Sequence, residues 1–392
     1  MNHMRFITNT SSSNWQIRAQ REVEYKVRLT RALLNPANIT LAAACGLDGK
    51  KCGKRLVVID DEVYTLYKGQ LDIYFSAWNL APIWHIISGG ESAKVIEPVL
   101  NVADAMIKAG LLRRTEAVIA IGGGVSLDIV GFAASLYRRG IPYIRIPTTL
   151  IGQIDAGIGI KTGINYGHHK NRLGSYFAPT EALIDPTFLC TLDERHISNG
   201  ISEIIKMALI KDNRLFQLVE KNADILNAQA LSSNNTEVEE ILSRAIDGML
   251  EELEPNLWEG NLERSVDYGH TFSPTLELCA EPELLHGEAV AIDIALSIVL
   301  ALHRGLLTFE DSCRALDLMI RVGLPIKHLN FTLDLIEAAL DDTIKHRDGL
   351  QRVPLTDGIG KVTFVNDLSK SELHVALAYI NRYKRQRGMN VA

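Results

Sequence analysis

The sequence predicts an α/β domain followed by a mostly helical one. Three observations carry that expectation. Short β-rich runs alternate with helix-like stretches through the first half of the chain. From about Pro186 onward the periodic apolar pattern turns almost wholly helical. One of the β-rich runs also passes directly into three glycines and then into a helix, the turn by which a parallel sheet hands its chain to a covering helix.

Arg55 to Asp60 (RLVVID) is a strand candidate that ends on an acid. Ala117 to Ile121 (AVIAI) is a second and runs into Gly122, Gly123 and Gly124. Tyr143 to Ile146 (YIRI) is a third, closed by Pro147. Between them Ala93–Ala109 and Ser126–Arg138 read as helices, so a parallel sheet with helices on both faces is expected. After the boundary, helical periodicity marks Ile197–Ile210, Leu215–Leu226, Glu237–Glu252, Gly287–Leu302, Thr308–Val322 and Leu333–Leu340. Strand signals nearly vanish until Val362–Val365. The expected division is 1–185 and 186–392, with no low-complexity linker or repeat.

A chain of 392 residues is more than one hydrophobic core usually holds. Its 47% hydrophobic and 22% charged residues fit an ordinary globular protein, and a formal charge of -6 gives no footprint for nucleic acid. Residues 1–14 are polar, without the basic-then-apolar pattern of a signal peptide, so a loose terminus and a cytoplasmic protein are expected. The apolar stretch Ala289–Leu302 is too short to span a bilayer and carries Asp293, so it reads as a buried helix and no membrane association is expected. The five cysteines are scattered and form no CxxC pair, which fits reduced thiols.

Three clusters can carry chemistry. In IGGGVSLDIVGF, glycines allow close backbone approach to a pyrophosphate and the helix N-terminus favours its charge, although a plain tight turn explains the same residues. The spacing is not GxGxxG. Asp60 at an earlier strand end fits an acid that grips a ribose hydroxyl, or a simple turn former. Glu203, His270 and His286 offer one carboxylate and two imidazoles, the donor set of a catalytic zinc site with an open position. Each His is equally readable as an ordinary core or surface residue. Asp155, Lys161, Lys170 and Asn171 lie in a glycine-rich stretch that suits a phosphate and neighbouring hydroxyls, or a solvated loop. Lys206, three residues after Glu203, shares its helix face.

These pieces fall in a known order. From about Arg55 to its end, the chain resembles 3-dehydroquinate synthase and its sugar phosphate cyclase relatives. The words that carry the resemblance are GGGVSLDIVGF, YRRG, IPTTLIGQIDAGIGIKTG, KNRLGSY, SEIIKMAL, YGHTF and HGEAVAID. The resemblance implies a Rossmann-like NAD-binding α/β domain, a helical metal-binding domain, NAD+ and one divalent metal, Zn2+ or Co2+. It implies metal ligands at Glu203, His270 and His286. Dinucleotide contacts are implied at Asp60, Glu62, Glu91, Lys94, Gly123, Gly124, Val125, Ser126, Asp128, Thr148, Thr149, Lys170, Phe188 and Thr191. Substrate groups are implied at Asp155, Lys161, Asn171, Lys206, Asp267 and His346, and Arg139 is implied to reach a partner's site in a homodimer.

The departures from the family pattern point to a substrate. Where the synthases of dehydroquinate read GHTxGH this chain has Pro274, and Asp267 replaces their Asn. Their Lys falls in the stretch around Met249, their Arg near Glu263, and their RDKK reads RDGL here, Arg347 to Leu350. Cations that would meet a substrate carboxylate are therefore expected to be missing. The words LEELEPNLWE, VDYGHTFSPTLE and KHRDGLQRVPL resemble the branch that cyclises sedoheptulose 7-phosphate. For that branch the chemistry implied is transient oxidation by NAD+, phosphate elimination, re-reduction, ring opening and aldol closure. Sister cyclases of the same substrate, metal-dependent polyol dehydrogenases and a non-catalytic binding protein are the rival readings.

Overall fold

The computed structural model describes residues 6–11, 14–19, 22–46, 53–167 and 169–384. Residues 1–5 and 12–13 of the start, expected as a loose terminus, lie outside the described residues; β1 (Phe6–Ser11) and β2 (Asn14–Arg18) form an antiparallel pair.

After it come β3 (Lys26–Leu29), α1 (Thr40–Ala44), β4 (Gly53–Asp60), α2 (Asp61–Ala77), β5 (Leu80–Ile87), α3 (Ile96–Ala109), β6 (Val118–Gly122), α4 (Gly124–Leu136) and β7 (Tyr143–Pro147). A hairpin of β8 (Lys161–Tyr166) and β9 (His169–Tyr176) precedes β10 (Glu181–Ile184). Six of these strands form one parallel sheet in the order β3-β10-β7-β6-β4-β5. The central strands are buried on both faces. Val57 and Ile59 of β4 with Ile119 and Ile121 of β6 pack towards α2, through Tyr67, Leu71 and Phe75. Their alternates Leu56, Val58, Val118 and Ala120 pack towards α3 and α4, through Val99, Val102, Leu127 and Val130. That two-sided burial is why these runs read as continuous apolar stretches.

The rest is helical: α5 (Glu194–Ile210), α6 (Asn213–Asn222), α7 (Ala228–Ser232), α8 (Thr236–Leu253), α9 (Ser273–Cys279), α10 (His286–His303), α11 (Phe309–Arg321), α12 (Leu333–His346) and α13 (Lys370–Arg382). Capping side chains fix several starts; Asp193 accepts from His196 N at α5, and Asn235 accepts from Glu237 N at α8. A short antiparallel ribbon of β11 (Val353–Thr356) and β12 (Val362–Val365) interrupts them. The helical core is one cluster that also takes in Leu150, Ile154, Ile158 and Ile184, so the two halves of the chain share packing. α10 is apolar and long enough to cross a membrane, and it is mostly buried here as the central helix of that cluster.

Candidate active site

In the strand order, neighbours on either side of β4 and β6 run away from each other in sequence, so the order reverses between these two strands. Ligands of open α/β sheets bind at such a reversal. Asp60 ends β4 and caps α2, accepting from Glu62 N at 3.1 Å and Val63 N at 3.4 Å, while Ser126 Oγ donates to its Oδ2 at 3.4 Å. Burial raises its pKa against the lowering effect of those amides. The turn after β6 admits no side chain at Gly122, where a Cβ would lie 2.8 Å from Ser126 Cβ. Gly123 precedes the first turn of α4, whose N-terminus has no side-chain cap to occupy it. Val125 packs on the sheet and Thr148 N donates to Gly122 O at 3.0 Å, with Thr149 beside Gly123.

The remaining residues expected at the dinucleotide line the same edge. Glu62 is exposed on the first turn of α2. Lys94, after β5, pairs with Asp128 of α4 at 2.7 Å. Glu91 accepts from Asn165 Nδ2 at 2.8 Å and meets Lys170 Nζ at 3.1 Å. Phe188 and Thr191 follow β10 and hold Tyr67 by a ring contact of 5.0 Å and a hydroxyl pair at 3.1 Å.

Facing this edge, the helical half presents Glu203 from α5, His270 from the loop before α9, and His286 from the first turn of α10. One donor atom from each falls within 4.8 Å of the others. His270 Nε2 and His286 Nε2 are 3.3 Å apart, and His286 Nε2 is 3.7 Å from Glu203 Oε1. Both Glu203 oxygens are buried without an aligned donor, although Lys206 lies against one as an ion pair. Burial alone would keep Glu203 protonated, yet the Lys206 ammonium and His286 bring its pKa below the ordinary carboxylate value. Burial and the same ammonium lower His270 to about 3, so its imidazole is neutral with a free lone pair. Two imidazole nitrogens converging with a buried carboxylate oxygen fit a divalent cation.

Three backbone devices hold this geometry. Gly269 has φ 78°, and a Cβ there would lie 2.7 Å from Ile294 Cγ1. The fully buried Asp293 of α10 accepts from Phe272 N at 2.5 Å and Ser273 N at 2.9 Å, which pins the loop that carries His270. Gly287 sits against α5; its N–H donates to Asn199 Oδ1 at 2.6 Å, and a Cβ would fall 2.0 Å from Asn199 O.

The third group lies between these two. Asp155 belongs to a π-helical turn, Gly152–Ala156, and stands 3.6 Å from Lys206 Nζ. Lys161 opens β8 and is 55% exposed, with Glu259 Oε1 at 2.5 Å. Asn171 adopts φ 49° in the β8–β9 hairpin and donates its N–H to Asn165 Oδ1 at 3.0 Å. Under this loop the buried Arg145 donates to the carbonyls of Gly159 at 2.6 Å and Lys161 at 3.0 Å.

One expectation needs correction. Cations were expected to be missing around Asp267, but Arg264 and Arg347 both reach its carboxylate, Arg347 Nη2 at 3.3 Å. Arg264 also pairs with Glu259, so Lys161, Glu259, Arg264, Asp267 and Arg347 form one alternating line of charge. The Arg that sequence reading sought at Glu263 is supplied one position later, while Glu263 itself is exposed. Burial resists ionisation of Asp267, and the two guanidiniums nonetheless lower its pKa. His346 is exposed on the last turn of α12, and among the described residues no hydrogen bond or ion pair joins it to Asp267. Arg139 is exposed, with φ 61°, on the turn after α4.

Sequence reading also missed Glu277, on α9, which meets Lys170 and lies 3.2 Å from His286 Nδ1. Its signal was slight: an acid between two histidines, with nothing in its spacing to mark a partner.

Comparison with known proteins identifies the family of the chain and its fold. The 3-dehydroquinate synthase N-terminal family model matches residues 84–199, and the C-terminal model matches residues 200–345. A 2-epi-5-epi-valiolone synthase of Streptomyces hygroscopicus subsp. jinggangensis is 52% identical over 374 residues, 94% of this chain and 90% of that protein. One from an Actinomyces species is 50% identical over 366 residues, 92% of this chain and 96% of its own length. The solved structure of ValA, the 2-epi-5-epi-valiolone synthase of S. hygroscopicus subsp. jinggangensis 5008 with NAD+ and Zn2+ bound, superposes with a TM-score of 0.89 at 51% identity, covering 94% of this chain and 99% of that one. The chain is a member of the 3-dehydroquinate synthase family, and within it is similar over nearly its whole length to 2-epi-5-epi-valiolone synthases.

Proposed function

We propose that this protein is a sugar phosphate cyclase that converts sedoheptulose 7-phosphate to 2-epi-5-epi-valiolone with release of phosphate. The observation that carries the reading is the Glu203–His270–His286 cluster, joined to Glu91 at the sheet edge through Glu277 and Lys170, in a chain half identical to synthases of that product. Glu203, His270 and His286 would hold Zn2+ or Co2+, and the residues from Asp60 to Thr191 along the sheet edge would hold NAD+. When bound, the pair supplies reversible hydride exchange and acidification of a ring hydroxyl.

The chain's own groups position the sugar. Lys206 is buried, and its pairing with Glu203 and Asp155 outweighs the burial that would deprotonate it, so it stays an ammonium. It is a hydrogen-bond donor to a ring hydroxyl, and Asp155, one-third exposed beside it, is the acceptor that can hold or pass the proton. Lys161 and Asn171 serve the phosphate. Glu259 already occupies Lys161, so an arriving phosphate exchanges one anion for another at that ammonium.

The test is incubation of the pure protein with sedoheptulose 7-phosphate, the metal and a small amount of NAD+. Phosphate and the cyclitol should appear in equal amounts, many per NAD+, with no build-up of absorbance from NADH. Stoichiometric NADH would instead identify a polyol dehydrogenase.

The exposed Arg139 completes the reading as a group lent across a homodimer to the partner's phosphate site. Mixing inactive Arg139→Ala with inactive Lys161→Ala should restore part of the activity, since hybrid dimers contain one intact site. Confirmed subunit exchange without recovery would rule out a shared site. The same reading places the enzyme in the cytoplasm, and its recovery in a membrane fraction after cell lysis would contradict that.

A further inference from the structure

We infer that Glu277 is a positioning residue that fixes the tautomer of His286 and ties the metal cluster to the dinucleotide edge through Lys170. The inference rests on the reading of Glu203, His270 and His286 as metal ligands. His286 Nε2 points at the cluster, 3.3 Å from His270 Nε2 and 3.7 Å from Glu203 Oε1. Its other nitrogen, Nδ1, faces Glu277 Oε2 at 3.2 Å. A neutral imidazole carries a single N–H, and an ionised carboxylate only accepts. With a cation at the cluster the ring is neutral, so its one N–H resides on Nδ1 towards Glu277 and the Nε2 lone pair is left for the cation.

The second oxygen of the same carboxylate meets Lys170 Nζ, which reaches Glu91 at 3.1 Å on the far side. One buried anion on α9 thus spans a ligand on α10 and a lysine on β9. Its two contacts fix the ring's orientation and hold the β8–β9 hairpin against the helical half. A glutamine at this position has the same shape but can present its NH2 to Nδ1, which would turn the lone pair away from the cluster.

The experiment uses Co2+ as probe and three proteins: wild type, Glu277→Gln and Lys170→Gln. Each is titrated with Co2+, followed by visible absorption, and separately with NAD+, followed by quenching of tryptophan fluorescence. Circular dichroism and thermal midpoint establish that each is folded. Expected for Glu277→Gln is a loss of Co2+ affinity of about 10- to 100-fold, the usual effect of removing a partner from a ligating histidine, with an altered absorption band. Expected for Lys170→Gln is weaker NAD+ binding with Co2+ affinity within about threefold of wild type. Glu277→Asp, which keeps an acceptor, should recover part of the lost affinity. Wild-type Co2+ affinity and spectrum in a folded Glu277→Gln protein would overturn the inference. So would an equal loss in Lys170→Gln, since the effect would then be one of charge rather than orientation. If a Glu277 variant does not fold, the Lys170→Gln and Glu277→Asp titrations decide. Failure of the wild type to bind Co2+ would overturn the metal reading itself.

Discussion

His270→Ala is expected to leave a folded protein that has lost tight metal and nearly all turnover. The cluster has three protein donors, and His270 contributes a neutral ring whose pKa lies far below working pH, so no proton competes for its lone pair. Removing it leaves Glu203 and His286 as a two-point site. Loss of one ligand should cost at least the 10–100-fold that removal of a mere outer partner costs. The fold should survive because the loop is anchored independently. Asp293 holds Phe272 N and Ser273 N, Ser273 Oγ donates to Gly269 O at 2.7 Å, and none of these bonds involves the His270 ring. Metal content after dialysis, steady-state rate and a denaturant midpoint measured on one preparation check the claim. A variant that keeps one metal per chain and full activity would remove His270 from the site.

The second large effect concerns substrate choice. Unmodified protein should turn over the seven-carbon ketose phosphate with a hydroxymethyl end, and essentially none of the corresponding carboxylated heptulosonate phosphate. Arg264 and Arg347 would be natural partners of a substrate carboxylate, but both are already committed to Asp267. A second carboxylate would meet an ionised acid already paired with both guanidiniums, and buried like charges are strongly disfavoured. A hydroxyl, by contrast, donates to Asp267 in a charge-assisted bond worth about 1.5–3 kcal/mol. Asp267→Asn removes the negative charge and releases two guanidiniums. Discrimination should then fall by about 10- to 100-fold, taking about 1.4 kcal/mol per factor of ten. The ratio of kcat/KM for the two substrates measures it. Efficient use of the carboxylated sugar by the unmodified enzyme, or an unchanged ratio in the variant, would end this account.

The parts legible in the sequence were those whose signal is local. RLVVID and AVIAI read as strands because both faces of β4 and β6 are buried, and the glycine turn reads as a tight approach because Gly122 has no room for a Cβ. β5 escaped notice because Pro82 interrupts it, which an edge strand tolerates. Pro354 hid β11 in the same way. The β8–β9 pair read as a loop because its glycines look like breakers, whereas Gly174 lets the strands close up: a Cβ there would lie 2.1 Å from Thr162 O. Glu203, His270 and His286 carried weight only through the order of the family's words, since their spacing holds no metal signature. The charge line from Lys161 to Arg347 was invisible because it joins residues from distant segments. Counting acids and bases near Asp267 gave the wrong sign for its surroundings, since Arg264 acts at a position where the family pattern directs attention to its neighbour.

Gly287 bears on how the ligand spacing is maintained. Between α5 and α10, next to the residues that supply Glu203 and His286, the separation is set by the Gly287 N–H on the Asn199 side-chain oxygen and by the Asn199 carbonyl, 2.0 Å from where a Cβ on Gly287 would stand. Gly287 itself puts no side chain into that gap, so a methyl group added there meets a helix carbonyl that cannot turn aside. The gauge of the site is therefore set by how closely one glycine lets the two helices approach. It is lost with a single added carbon at a residue outside the ligand set.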